Sequence, residues 1–563
     1  MKEIKNISRS RAQESSAAIE RLYITMRHLF NRGFYKPMGV SGDTLREALL
    51  LLRPEIYGTI AEEKVELNGL LYVIERLPVG IEECRFINLT SDEGYSKSHF
   101  QAIVPPKRRR NCYRIDEEQM NVEITRGRSD IYDILTHLTF IFIESHKIKD
   151  RVLLDENNFE VTRDWEKLEQ VVLQNKKLSL MDKEKAISHA SNILGRPFSE
   201  VLAIYEDFGT KEKPDRLLHI IYWLGKLAIE EVIQNNKRTI TFSPILRERL
   251  GHHIHGEIWA TNIKEVLLKK NLINRPIHII SANMHSVMNS IFSKQAIGSK
   301  YKGADTYAIY EDLSKSGADD LRGKVENIAL QNGMISLPDQ SGTNIDVQIF
   351  DSSKVDFSKS DFAKATFKEE KPVLIVMDYA FGEQAYETID ELLKPFKSGK
   401  DKILLNVESV SIMGKAGILE GGKGDIMIPN AHINEGTADN YPFKNELTKE
   451  MFEGNGIPVC AGPMVTVLGT SLQNKDLLKF FHDSTWGVIG LEMEGAYYQK
   501  AIQSASKIRK SIHPDVKVRY AYYASDNPLE TGSTLASGGL GTTGVKPTYL
   551  ITIKILEQIF NIK

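Results

Sequence analysis

From about Asn271 onward, short apolar runs alternate with helical patterns, and this alternation is what most limits the folds open to the chain. The runs are Pro276-Ile-His-Ile-Ile280, Lys371-Pro-Val-Leu-Ile-Val-Met377, Lys402-Ile-Leu-Leu-Asn406 and Val516-Lys-Val-Arg-Tyr-Ala-Tyr-Tyr523. Strands alternating with helices build a doubly wound parallel or mixed sheet, so the expected fold class is α/β, an α/β/α domain around a mixed sheet. The polar stretch 354–370 reads as a surface loop before the second run, and 548–560 as a C-terminal helix with one apolar face. The earlier part of the chain has another character. Apolar residues Ile19, Leu22, Tyr23, Met26 and Leu29, and again Leu217, Ile221, Leu224, Ala228 and Val232, follow the three-to-four spacing of a buried helix face. The expected division is a mainly helical region over 1–270, its role open, and the α/β domain over 271–563, with the boundary near 265–275.

Composition excludes several function classes. A chain of 563 residues exceeds one ordinary domain. With 41% hydrophobic and 26% charged residues it reads as globular, and a net charge of −2 gives no global pull toward nucleic acid or an anionic membrane. Cys84, Cys112 and Cys460 are widely spaced and imply neither a disulfide framework nor a cysteine zinc site. The start, Met-Lys-Glu-Ile-Lys-Asn, lacks a signal-peptide core, and the greasiest run, 131–143, falls short of the ~20 apolar residues a membrane span needs. The expectation is a cytoplasmic protein with no membrane partner and no nucleic-acid partner. His252-His-Ile-His-Gly-Glu257 is an incomplete metal set, so no metal is expected. Lys107-Arg-Arg-Arg110 is either a phosphate grip or a solvated loop.

Two motifs place carboxylates where strand ends meet helices. Gly490-Leu-Glu-Met-Glu-Gly-Ala-Tyr-Tyr498 offers Glu492 and Glu494 around Met493. Ala524-Ser-Asp-Asn-Pro-Leu529 puts Asp526 just beyond an apolar run. Ligands of open α/β sheets bind at the carboxyl ends of strands, so these acids are candidates for chemistry. Each also has a bland reading: Asp526 as the cap of a Ser-Asp-Asn-Pro turn, and Glu494 as an acid set against a helix dipole.

Met493-Glu494 followed by Ser525-Asp526 resembles the nucleoside phosphorylase and nucleosidase superfamily. Three further segments match in order. Met377-Asp-Tyr-Ala-Phe-Gly-Glu-Gln-Ala385 looks like the family's strand and Gly-containing turn. Ser411-Ile-Met-Gly-Lys-Ala-Gly-Ile-Leu419 with Gly424-Asp-Ile-Met-Ile-Pro429 is similar to its Gly-rich turn and following strand. His432-Ile-Asn-Glu-Gly-Thr-Ala-Asp-Asn-Tyr441 resembles a loop that often reads Arg-Glu-Gly-Thr-Ser. Ser-Asp-Asn-Pro-Leu looks closer to the AMP nucleosidase branch. The resemblance covers residues from about 276 to the end.

The resemblance implies roles. Asp526 would protonate or hydrogen-bond the purine N7, if burial raises its pKa. Glu494 would accept the ribose hydroxyls, with Met493 against the sugar face. Gly382, Gly414 and Gly417 would let backbone approach the ligand, the last two in a turn that aims N–H groups at an anion. Lys415 either meets a phosphate or is solvated, and Thr466, in Gly462-Pro-Met-Val-Thr-Val-Leu468, would line the base pocket. The sequence also departs from the family. Ile412 stands where phosphorylases place a phosphate-binding Arg. Ile280-Ser-Ala-Asn-Met-His285 lacks the carboxylate with which hydrolytic relatives activate water, leaving His285, Glu383 and Glu435 as stand-ins. The implied function is cleavage of a purine nucleoside or nucleotide at its N-glycosidic bond, with hydrolysis preferred because of Ile412. The alternatives are phosphorolysis, or an inactive nucleotide-binding sensor with a helical interaction module. No cofactor is expected, the partner is a small-molecule purine nucleoside or nucleotide, and a homo-oligomer is expected.

Overall fold

A computed structural model describes residues 2–174, 178–301, 306–367, 370–437, 439–530 and 541–562. Lys368, Glu369 and Ala438, which fall in two of the stretches read above, lie outside the described residues. The chain divides into two compact units. One comprises residues 1–125, 130–252 and 471–474; the other comprises 126–129, 253–470 and 475–563.

The first unit is rich in helices, including Val40–Leu52 and Arg216–Ile233. It also holds a five-stranded sheet that the mainly helical expectation did not contain, and this is a correction. Phe86–Thr90 lies between Gln119–Glu123 and Thr239–Phe242, parallel to both, with the Cys112–Arg114 and Phe34–Tyr35 strands at the edges. These strands are two to five residues long, and polar residues such as Asn88, Asn121 and Thr241 interrupt their apolar pattern. A period of two has too few repeats there to stand out. The basic cluster is divided: Lys107 and Arg109 are exposed, whereas Arg108 holds Asp133 with two 2.8 Å hydrogen bonds and buried Arg110 bridges Asp130 at 2.6 Å and Asp133 at 2.9 Å. No helix among the described residues is long and apolar enough to cross a membrane.

The second unit is built on a ten-stranded mixed sheet. Its strands are β1 (Ile277–Ser281), β2 (Met334–Leu337), β3 (Val347–Asp351), β4 (Val373–Met377), β5 (Val407–Ile418), β6 (Ile426–Asn434), β7 (Asn440–Pro442), β8 (Val459–Thr466), β9 (Gly490–Glu492) and β10 (Lys517–Asp526). Their order is β7-β6-β8-β9-β5-β1-β4-β3-β2, and β10 pairs with both β5 and β6. Strands β1, β4 and β10 are wholly or almost wholly buried, which is why they read as continuous apolar runs. Four helices bear on the site: α1 (Met284–Ile297), α2 (Gln384–Leu392), α3 (Gly495–Gln503) and α4 (Val545–Ile559). Separate apolar clusters fill the two faces, one including Ile277, Ile375, Ile389 and Tyr498, the other Ile291, Leu374, Ile551 and Leu556.

Three local expectations need correction. The run at 402–406 does not enter the main sheet: Asp401–Ile403 pairs with Phe396–Ser398 in a hairpin, and the sheet strand begins at Val407. The stretch read as a surface loop buries Phe357 and Phe362, whose rings meet Phe560 edge-on. Gly414 and Gly417 lie inside β5 rather than in a turn. Gly414 is paired with Tyr522, and a bulge falls between Ala416 and Gly417.

Candidate active site

The corner between β9 and α3 separates its two carboxylates by task. Glu492 ends the strand and turns its side chain onto the helix start, where Oε2 accepts the N–H of Glu494 at 2.6 Å and that of Gly495. The Thr466 hydroxyl donates to Oε1 of Glu492 and accepts the Ala496 N–H at 2.9 Å. Gly495 is required here, because a Cβ would overlap the buried His432 ring. Glu492 therefore does the helix-end work that the bland reading gave to Glu494. Glu494 turns elsewhere: its Oε1 accepts the Gly382 N–H at 2.9 Å. Burial raises both acids. Glu492, further raised by the charge of Glu494, is pushed up to about 8, and Glu494 to about 7 despite hydrogen bonds from the Gly382 and Met493 backbone and the charge of Arg126.

Asp526 closes β10, in register with Gly417 of β5. Its Oδ1 accepts from the Ser525 hydroxyl, while its buried Oδ2 has no hydrogen-bond partner among the described residues. The following turn is capped by its neighbour, since Asn527 Oδ1 accepts the Leu529 N–H at 3.0 Å. The cap reading thus belongs to Asn527. Burial raises the Asp526 pKa, against opposing effects of Ser525, Lys415 and Lys423.

Strand β5 joins these groups. On one edge it pairs with β1 as far as Ile412–Ser281, and the antiparallel pairing with β9 begins at Gly417–Leu491. The edge between, 413–416, is flanked by the Asn283 loop leaving β1 and by Met493–Glu494 leaving β9. Gly414 leaves room for the Tyr379 ring, 3.5 Å from where its Cβ would lie, and Gly417 for Leu491. Lys415 projects from β5 into a cavity of about 420 Å³ that also presents Asn283, His285, Asn289, Arg322, Tyr523 and Tyr549. Within it Asn289 donates to Tyr549 at 2.8 Å, and its buried Oδ1 has no hydrogen-bond partner among the described residues. Ile412 is buried in the core and brings no charge to this cavity.

Of the residues singled out from the sequence, Gly382 meets Glu494, Thr466 meets Glu492, and Lys415 acts electrostatically on Asp526. Met493 packs beside the cluster of Leu419, Leu491 and Leu478. Only Lys415 of this set lines the cavity. The stand-ins are dispersed. His285 is on the cavity, Glu383 precedes α2, and Glu435 follows β6, where it accepts the Leu468 N–H at 3.3 Å and burial pushes it up to about 7. Buried His255 bonds the Ser341 carbonyl at 2.7 Å, and the described residues contain no metal-ligating group of three or more His, Cys, Asp or Glu.

One part of the site carried no sequence signal. Residues 126–129 fold with the second unit. The Ser129 hydroxyl accepts the Glu383 N–H at 2.8 Å, and Gly382, at φ +55, presses so close to Ser129 that a Cβ would overlap it. Thr-Arg-Gly-Arg-Ser129 has no apolar period and lies far outside the span of the family resemblance, so only the folded chain reveals it.

The family model of DUF6909, described as a family of unknown function, matches residues 43–301 and 305–561. A search of curated proteins found no match. Among solved structures, the chain is similar to the 5'-methylthioadenosine/S-adenosyl homocysteine nucleosidase of Campylobacter jejuni, with 11% identity and a TM-score of 0.31 over 51% of this chain and 100% of that one. A futalosine hydrolase mutant of Helicobacter pylori strain 26695 is similar at 12% identity and a TM-score of 0.31, over 50% of this chain and 99% of that one. Uridine phosphorylase from Schistosoma mansoni, in complex with thymidine, is similar at 11% identity and a TM-score of 0.30, over 52% and 89%.

Proposed function

We propose that this chain, which belongs to the DUF6909 family, cleaves the N-glycosidic bond of a purine nucleoside or nucleotide, by hydrolysis in preference to phosphorolysis. The observation that carries the reading is the release of two acids from structural work. Glu492 takes the helix end and Asn527 takes the turn, leaving Glu494 and the Oδ2 of Asp526 for a ligand. In this reading the ribose hydroxyls donate to Glu494, and Asp526, whose pKa burial raises, gives a proton to purine N7 as the C1′–N bond breaks. Water adds to C1′ and loses a proton, so free base and free sugar leave. Gly382 fixes the Glu494 carboxylate, and Lys415 together with Arg322 suits the cavity to an anionic substituent such as a 5′-phosphate.

A chromatographic screen of purine nucleosides and nucleotides for released base, run with and without inorganic phosphate, tests this. Release that requires phosphate favours phosphorolysis, with Lys415 replacing the cation absent at Ile412. The second reading, a nucleotide-binding sensor without turnover, draws on Ile412, where phosphorylases place an Arg, and on the Ile280–His285 segment, which has no carboxylate where hydrolytic relatives place one. Tight purine binding with no base released over long incubation selects it.

A further inference from the structure

The 126–129 segment is anchored at several points around the turn that meets Glu494. Ser129 accepts from Glu383 at 2.8 Å. Gly127 lies against α2, where a Cβ would stand 3.3 Å from the Gln384 nitrogen and 3.4 Å from the Glu387 carboxylate. The Arg126 guanidinium sits over the Phe381 ring, 4.7 Å from its centroid. Phe381 and Glu383 bracket Gly382, whose N–H donates to Glu494. One short stretch thus holds both flanks of the donor and places a cation on the same side.

We propose that Arg126 is a positioning residue for Glu494: anchored through Ser129 and Phe381, it keeps the Gly382 turn and the carboxylate that receives the sugar hydroxyls in one arrangement. That carboxylate's role in binding rests on the glycosidase reading; the action of Arg126 on it does not. The groups facing Glu494 show why a cation is needed. Glu492 on β9 is a second acid, and Tyr498 on α3 and Tyr522 on β10 are buried phenols that feel the Glu494 charge. Among the described residues, the cation acting on Glu494 is Arg126, opposing the burial that raises it to about 7. A guanidinium stacked on an aromatic ring loses little freedom in holding this place.

Difference infrared titration of the ligand-free full chain, with Glu494→Gln identifying the band, measures the carboxylate directly. Arg126→Met is expected to move the Glu494 midpoint up by about one pH unit, equivalent to a tenfold change in ionisation. Arg126→Lys, which keeps the charge and tests against misfolding, is expected to return most of that shift. Binding of AMP and adenosine then follows: Arg126→Met loses about fivefold near pH 7 and less than about twofold at pH 9, where the carboxylate ionises regardless. An unmoved midpoint in folded Arg126→Met, or an equal loss at both pH values, overturns the inference. A shifted midpoint in a protein that binds neither ligand upholds the action of Arg126 and overturns the sugar-binding role of Glu494.

Discussion

The two units treat buried charge in opposite ways. In the first, several buried acids meet arginines: Glu231 with Arg238 at 2.7 Å, Asp130 and Asp133 with Arg110, Glu82 with Arg216 at 3.4 Å; Glu123, which accepts from Asn111, is instead raised by burial. Burial alone would raise Glu231 and Asp133, but Arg238 outweighs it for the one, and Arg108 and His137 for the other, holding both below the usual carboxylate range. Even Glu144, pushed up to about 7 by burial, holds Lys147 at 2.8 Å. In the second unit, burial pushes Glu387 and Glu492 up to about 8 and Glu435 and Glu494 to about 7, with Glu383 and Glu391 adding to Glu387 and Glu494 to Glu492. Yet this unit also pairs a charge where nothing but structure is at stake. Arg275 and Asp351 bond at 2.7 Å where β1 and β4 begin, at the opposite end of these strands from their carboxyl ends. Arg126 acts on Glu494 and Arg128 on Glu387, yet burial outweighs both; acids so incompletely compensated cost stability, and such groups are candidates for chemistry.

The largest effect expected from this contrast is on turnover. Asp526→Asn retains the shape and removes the transferable proton, so base release should fall ~10²–10⁴-fold while affinity changes far less. Glu494→Gln should lower both affinity and turnover. Steady-state kinetics with direct binding measurements separates these outcomes, and unaltered release by folded Asp526→Asn would remove the central claim.

Next comes the other side of the comparison. Arg238→Met strands Glu231 in the first unit and should cost ~3–5 kcal/mol in urea unfolding. Adding Glu231→Leu should recover part of it, because an apolar pair leaves no charge stranded. A single-mutant loss under ~1 kcal/mol would mean the pairing is incidental and the contrast between the units is empty.

What could be read from the sequence follows the same division. Strands β1, β4 and β10 and helix α4 were legible because burial on both faces, or one strong stripe, writes a long apolar pattern. Glu494 and Asp526 were legible as candidates because acids at strand ends stand out against such runs. The first unit's sheet was not, since Asn88 and Asn121 break strands of five residues. Strand β5 was read as a turn because Gly414 and Gly417, which make room for Tyr379 and Leu491, are also turn residues. The division of labour between Glu492 and Glu494, and between Asp526 and Asn527, depends on side-chain direction, which spacing does not encode. Arg126 depends on a contact across more than 250 positions, as the 2.8 Å bond between Ser129 and Glu383 makes plain.

A smaller effect concerns substrate preference. Lys415 lines the cavity and acts on Asp526. Lys415→Ala should reduce the preference for AMP over adenosine by ~1.5–3 kcal/mol, read as the ratio of the two kcat/KM values. A ratio near one in the wild type, unchanged in the variant, would assign the cavity to something other than a phosphate.

The smallest effect is on stability against pH, and its sign differs between Glu492 and Glu231. Glu492 is raised in the folded state, so folding takes up protons relative to an unfolded chain with an ordinary glutamate. Its stabilising contribution is fully present below the unfolded value of about 4.5 and is lost as pH rises toward about 8. Glu231 behaves oppositely: its folded value is depressed, and its contribution is present above the ordinary value and lost in acid. Glu492→Gln fixes the neutral form and keeps an oxygen to accept the Glu494 and Gly495 N–H groups. The variant should therefore lose less stability than the wild type between pH 5 and pH 8, by on the order of 1 kcal/mol. Urea unfolding at both pH values, followed by a probe in the second unit, reads that difference. A wild type equally stable at the two pH values, or a Glu492→Gln variant with the wild-type slope, would show that the β9 carboxylate is ionised in the fold and that the second unit's acids are compensated after all.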